Sequence, residues 1–200
     1  MEAVDRRPLK DVLSKAAELG LRNLALPEDM GGSGADALTS VIVAEELAFG
    51  DPDTASILAE TSRLARVVIG ELMSPAQRDV WLAALEKEPA LQLAWASSFT
   101  GGDPGVNYHK TMPPVVSSVT ATRSGSTYVL NGTSHGVANA PIAVMIAVSA
   151  TTDAKSRLAA RSVTLLVPCG AEGMSVKMHA AGRFVGSCGD VTFQNCKVPA

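Results

Sequence analysis

The chain has no apolar run long enough to cross a bilayer, which excludes a membrane-spanning helix. It has no basic block. Its 17 basic and 20 acidic residues leave a net charge of −3, and nothing electrostatic points to nucleic acid or an anionic membrane. Its cysteines are Cys169, Cys188 and Cys196, an odd count without a Cys-x-x-Cys pair, so neither a metal knuckle nor a disulfide framework is indicated. The opening MEAVDRRPLK is charged and lacks the apolar core of a secretory signal. A cytoplasmic location is the expectation. No Gly-x-Gly-x-x-Gly follows a strand and no Gly-x-x-x-x-Gly-Lys-Ser/Thr is present, so neither common nucleotide fingerprint applies. Aromatic residues make up only 4%. Against these shortages stand 46% apolar and 18% charged residues among 200, a globular balance sufficient for one large domain or two small ones.

The first 90 residues or so carry helical periodicity. Leu9, Val12, Leu13 and Ala16 fall at helical spacing, and Gly20 closes that segment. After the Gly-rich break Leu26–Asp36, the stretch ALTSVIVAEELAFG places Leu38, Val41, Ile42, Ala48 and Phe49 on a wide apolar face. Asp51-Pro52 has the form of an N-cap with proline at the first helical position. Ser74-x-x-Gln77 has the form of a capping box. Four helices are predicted. From residue 91 the chain becomes a series of short runs rich in Val, Thr and Ser, separated by Gly, Pro, Asn or Asp, which is the pattern of β-strands and turns. The expectation is an α+β chain: a helical domain over 1–89, then an antiparallel β-barrel or sandwich-like domain over 90–200. Asn131-Gly132 reads as the tight turn of a hairpin.

No complete catalytic constellation emerges, and no catalytic or metal-binding residue is assigned. Gly31-Gly32-Ser33-Gly34 resembles a phosphate cradle but lacks a preceding strand and a lysine, so a plain loop is favoured. Glu45 and Glu46 are adjacent on a helix, about 100° apart, and do not converge on one proton. His109, His135 and His179 lie in three segments with no partner at metal spacing. Along a strand, His135 is expected to point away from Gly136. Ser-His-Asp chemistry lacks its Gly-x-Ser-x-Gly elbow. Cys188 reads as an inert thiol.

Five landmarks in order carry a resemblance: LGLRNLALPEDMGGSGAD, VIVAEELAFGDPDTA, SPAQRDVWLAALEKEPALQLAWA, YVLNGTSHGVANAPIA and GRFVGSCGDVTFQNCKVPA. Together they resemble the acyl-CoA dehydrogenase family over nearly the whole chain. The resemblance implies an N-terminal helical domain with its opening helix trimmed and a middle β-domain. The family's C-terminal four-helix domain is absent, so the chain is expected to be part of a longer product. It implies FAD, held by Trp95, Ser97 and Ser98 on the first strand and by Gly136, Val137 and Ala138 on a later one. Phe99-Thr100 stand where the family has Glu-Pro, and Gly136-Val137-Ala138 where it often has Trp-Ile-Thr/Ser. An aromatic wall and a hydroxyl are thereby replaced, leaving backbone N–H groups as donors.

The implied activity of the complete protein is α,β-dehydrogenation of an acyl-CoA, with an electron acceptor flavoprotein as partner and a homo-oligomeric assembly. The family's catalytic base lies in the C-terminal domain, so this chain alone is expected to be inactive. Two other readings stand beside it. One is a flavin-dependent monooxygenase of the same fold, suggested by GSCGDV. The other is a non-catalytic family member without flavin, suggested by the departures at 99–100 and 136–138.

Overall fold

The computed structural model describes residues 7–97, 99–100, 116–152, 162–179 and 187–200. They divide into two compact units, one holding the chain through Ala94 together with Ser187, and one holding the described residues from Trp95 on other than Ser187.

The first unit contains four α-helices among the described residues: α1 (Arg7–Glu18), α2 (Ala37–Gly50), α3 (Pro52–Leu64) and α4 (Pro75–Lys87). Their starts follow local side-chain chemistry. Asp36 Oδ1 accepts from the Thr39 amide at 2.8 Å at the head of α2. Asp51 accepts from the amides of Asp53 and Thr54, each at 3.3 Å, with Pro52 at the first position of α3. Ser74 and Gln77 complete the reciprocal capping box of α4. A π-helical segment, Ala65–Leu72, continues α3. Leu13, Leu26, Leu58, Leu64, Val68 and Ile69 form the buried centre. Buried polar groups there are partnered. The Arg22 guanidinium donates to the carbonyls of Leu85 (2.7 Å), Glu88 (2.7 Å) and Pro89 (2.9 Å), closing the C-terminal end of α4 with a cation. Thr61 donates to Gln92 Oε1 at 2.7 Å and accepts from the Leu93 amide at 3.3 Å.

The apolar face expected for α2 is not buried. Leu38 is 68% exposed and Phe49 88%, Val41 and Ile42 are also exposed, and no residue of α2 is buried. The helix is apolar on nearly every side, so its periodicity could not say which side meets the core.

A seven-stranded sheet makes up most of the second unit, with Gln92–Ala94 of its first strand counted in the first unit. Its strands are β1 (Gln92–Ala96), β4 (Val119–Ser124), β5 (Thr127–Ala138), β6 (Ala143–Thr151), β7 (Ser162–Pro168), β8 (Met174–Met178) and β9 (Cys188–Pro199). Their order is β1-β6-β4-β5-β9-β8, with β7 also paired to β6; β2 (Phe99–Thr100) and β3 (Val116–Ser117) form a separate small pair. The expected order of helices before an antiparallel β-domain is observed; among the described residues the sheet is open and mostly antiparallel, with one parallel contact where Thr120 of β4 meets Thr151 of β6. Leu130, Ile146, Val148, Val167, Val191 and Phe193 fill its core.

The hairpin expected at Asn131-Gly132 is also corrected: both residues lie inside β5. The turn comes earlier, at Gly125 (φ 62°) between β4 and β5. Gly132 is needed for close approach instead. A Cβ there would lie 2.2 Å from the Ser118 carbonyl oxygen.

Candidate functional site

Trp95 is half-buried, and its indole N–H donates to Ser149 Oγ at 2.8 Å. Ser97 is half-buried just past the end of β1, and Ser98 lies outside the described residues, as does His109. Gly136 and Ala138 are exposed and Val137 is buried, near the end of β5. Pairing does not bring these two groups together. β6 and β4 separate β1 from β5, roughly 14 Å across a flat sheet.

What the fold does bring together is a cluster that no local spacing signalled. Between the pairs Ser134↔Val191 and Val137↔Gly189, the two residues His135 and Gly136 oppose the single residue Asp190. This is a β-bulge on β5. It overturns the expectation that His135 points away from Gly136, because the extra residue breaks the alternation and both are exposed. Gly136 adopts φ 65°, and its amide donates to Asp190 Oδ1 at 3.1 Å. The same oxygen lies 2.7 Å from His179 Nε2 and 3.3 Å from His135 Nδ1. The Gly136 amide above all, then the two imidazoles, hold the Asp190 carboxyl below the usual carboxylate range. Asp190 and His179 were missed as site residues. Their meeting depends on the registers of β5, β9 and β8, which periodicity does not encode.

The other candidates stay with their bland readings. In the 31–34 loop, the amides of Gly31, Gly32 and Gly34 donate to the carbonyls of Glu28, Pro27 and Leu26, so none of the three is presented as an anion donor. Glu45 and Glu46 are exposed on α2. Burial pushes the Cys188 thiol upward and that of Cys169 up to about 11, the opposite of nucleophile activation. The helical unit contains a cavity of about 610 Å³ lined by residues including Leu24, Val41, Leu47, Leu58 and Arg63. None of the described residues expected to hold cofactor (Trp95, Ser97, Gly136, Val137 and Ala138) lines it.

Residues 1–88 match the model of the acyl-CoA dehydrogenase N-terminal domain. The short-chain specific acyl-CoA dehydrogenase of Rattus norvegicus is 28% identical over 94% of this chain and 43% of its own length. Along its length the chain is similar to acyl-CoA dehydrogenases. Acryloyl-CoA reductase (NADH) of Anaerotignum propionicum is another similar protein, 28% identical over 100% of this chain and 49% of its own. Butyryl-CoA dehydrogenase from Megasphaera elsdenii shares the fold, with a TM-score of 0.74 and 24% identity over 98% of this chain and 51% of that one. The chain thus spans about half the length of the family members it matches.

For the flavin that the resemblance implies, the 136–138 segment leaves room. Gly136 is exposed, no heavy atom comes within 4 Å of where its Cβ would stand, and Ala138 is small and exposed, so the segment offers a shelf bare of bulky side chains. It is less generous in donors, since the Gly136 amide is engaged by Asp190 and the Trp95 indole by Ser149.

Proposed function

We propose that the complete protein is an acyl-CoA dehydrogenase-like flavoenzyme that carries out FAD-dependent α,β-dehydrogenation of an acyl-CoA thioester, and that this chain supplies its helical and sheet units. The supporting observation is a similarity that runs through 94% or more of the chain to proteins named for acting on acyl-CoAs. In this reading FAD is held by Trp95, Ser97, Ser98, Gly136, Val137 and Ala138. Bound flavin supplies a two-electron acceptor. The chain's own contribution is to bind and orient. Gly136 and Ala138 leave a flat ring room, Val137 roots the segment in the sheet core, and Trp95 gives the first strand an aromatic body. No residue of this chain is assigned as the base that takes a proton from the substrate.

The expected partners are an acyl-CoA, an electron acceptor flavoprotein and further copies of the complete protein, in the cytoplasm. One structural neighbour, with a TM-score of 0.76 and 24% identity, is described as an electron transferring flavoprotein of Acidaminococcus fermentans. No described helix is long and apolar enough to cross a membrane.

A visible absorption spectrum of the purified chain, followed by titration with FAD, tests the cofactor assignment. Anaerobic mixing of the complete protein with acyl-CoAs tests the reaction, and flavin bleaching is the expected result. One observation favours a second reading, a family member that does not retain flavin: the Gly136 amide and the Trp95 indole already have partners within the chain. A colourless protein that fails to bind added FAD supports that reading and removes the first.

A further inference from the structure

Two bulges interrupt the pairing of β5 with β9, and they share one construction. In the first, Gln194 and Asn195 oppose the single residue Asn131; Asn195 adopts φ 53° and its amide donates to Asn131 Oδ1 at 2.8 Å. In the second, His135 and Gly136 oppose Asp190; Gly136 adopts φ 65° and its amide donates to Asp190 Oδ1 at 3.1 Å. Each time, the residue left out of the ladder gives its N–H to the side-chain oxygen of the residue opposite. The first bulge shows that a neutral carboxamide oxygen suffices for this. A carboxylate with two imidazoles on the same atom is more than capping requires.

We propose that Asp190 is a positioning residue for the cofactor-facing segment 136–138, and that His135 and His179 make its hold on that segment depend on proton occupancy. This rests on the FAD reading above. Three donors converge on one oxygen with two lone pairs, so the strength of any one bond depends on the others. Protonated imidazoles make charge-assisted bonds and neutralise the carboxylate; neutral imidazoles leave its negative charge beside the segment where an anionic dinucleotide would lie. Histidine is the side chain whose charge ordinarily changes between about pH 5 and 8. The other titratable groups facing the cluster among the described residues are Lys177, opposite Asp190 on β8, and Cys188, on β9 two residues before it.

The test is FAD binding by the full 200-residue chain, followed by fluorescence from about pH 5 to 8, for wild type, Asp190→Ala and Asp190→Asn. Wild-type affinity is expected to fall with rising pH. Asp190→Ala, which releases the Gly136 amide, should bind about tenfold more weakly at low pH. Asp190→Asn rebuilds the neutral cap of the first bulge. It should hold FAD within about threefold of wild type at low pH and lose the pH dependence. Unchanged or tighter binding by Asp190→Ala overturns the proposal, as does a wild-type pH profile in Asp190→Asn. Absence of FAD binding by every variant removes the FAD reading. The positioning role is then decided by the NMR signal of the Gly136 amide. A signal that follows the histidine titration in wild type and not in Asp190→Asn supports it. A signal indifferent to that titration, or identical in the two proteins, overturns it.

Discussion

The two bulges of the β5–β9 pair differ in what surrounds the same backbone device. Next to the first, at the Gly132↔Phe193 pair, space is closed. Gly132 lies against the Ser118 carbonyl, and its cross-strand partner Phe193 is 1% exposed. At the second, space is open: a side chain at Gly136 would meet nothing within 4 Å. The first is capped by a neutral carboxamide, the second by a carboxylate between two histidines. One bulge lets strands pack, and the other gives a surface a shape and a charge. A glycine with positive φ has no meaning until its surroundings are known.

Substitutions should separate the two. Gly132→Ala should cost about 4–5 kcal/mol, at the exceptional end for one methyl, because its Cβ would meet backbone that cannot turn aside. Urea unfolding measures it, and a loss under about 1 kcal/mol would contradict the closed geometry. Phe193→Ala should cost about 3–4 kcal/mol by leaving a cavity under the same bulge, read from the same transition. Gly136→Ala should cost only about 1–2 kcal/mol, from the left-handed conformation alone. A larger effect than Gly132→Ala would reverse the comparison. Asn131→Ala should cost about 1 kcal/mol by leaving the Asn195 amide to water.

The smallest effect lies in pH. The Asp190 carboxyl is held below its ordinary value, so its contribution to stability is present above the usual carboxylate range near 4 and is lost as pH falls through the depressed value. Asp190→Asn should flatten that part of the acid-unfolding profile, while Asn131→Asp should add titrating character to a bulge that has none.

Local chemistry was legible where neighbours along the chain carry it. The Asp51-Pro52 cap and the Ser74/Gln77 box act within three residues, and the change from helical to strand periodicity spans whole elements. The failures share one cause. The α2 face, the Asn131-Gly132 turn and the direction of His135 all depend on partners distant along the chain. Asn-Gly is a turn signal in isolation, but in β5 its carboxamide caps Asn195, 64 positions on. The alternation that would turn His135 from Gly136 holds only in an uninterrupted ladder, and the bulge opposite Asp190 interrupts it.

By itself the sequence determined the element types, several helix starts, the order of helices before strands, and a resemblance to the acyl-CoA dehydrogenases through its ordered landmarks, because those are properties of short stretches and of their succession. Only the tertiary structure decided which face of α2 lies open, that the sheet stays open with one parallel contact, and that Asp190 gathers Gly136, His135 and His179 on one oxygen. Those depend on strand register, and a shift of one residue turns every side chain to the other face, a choice made by the packing of the whole sheet.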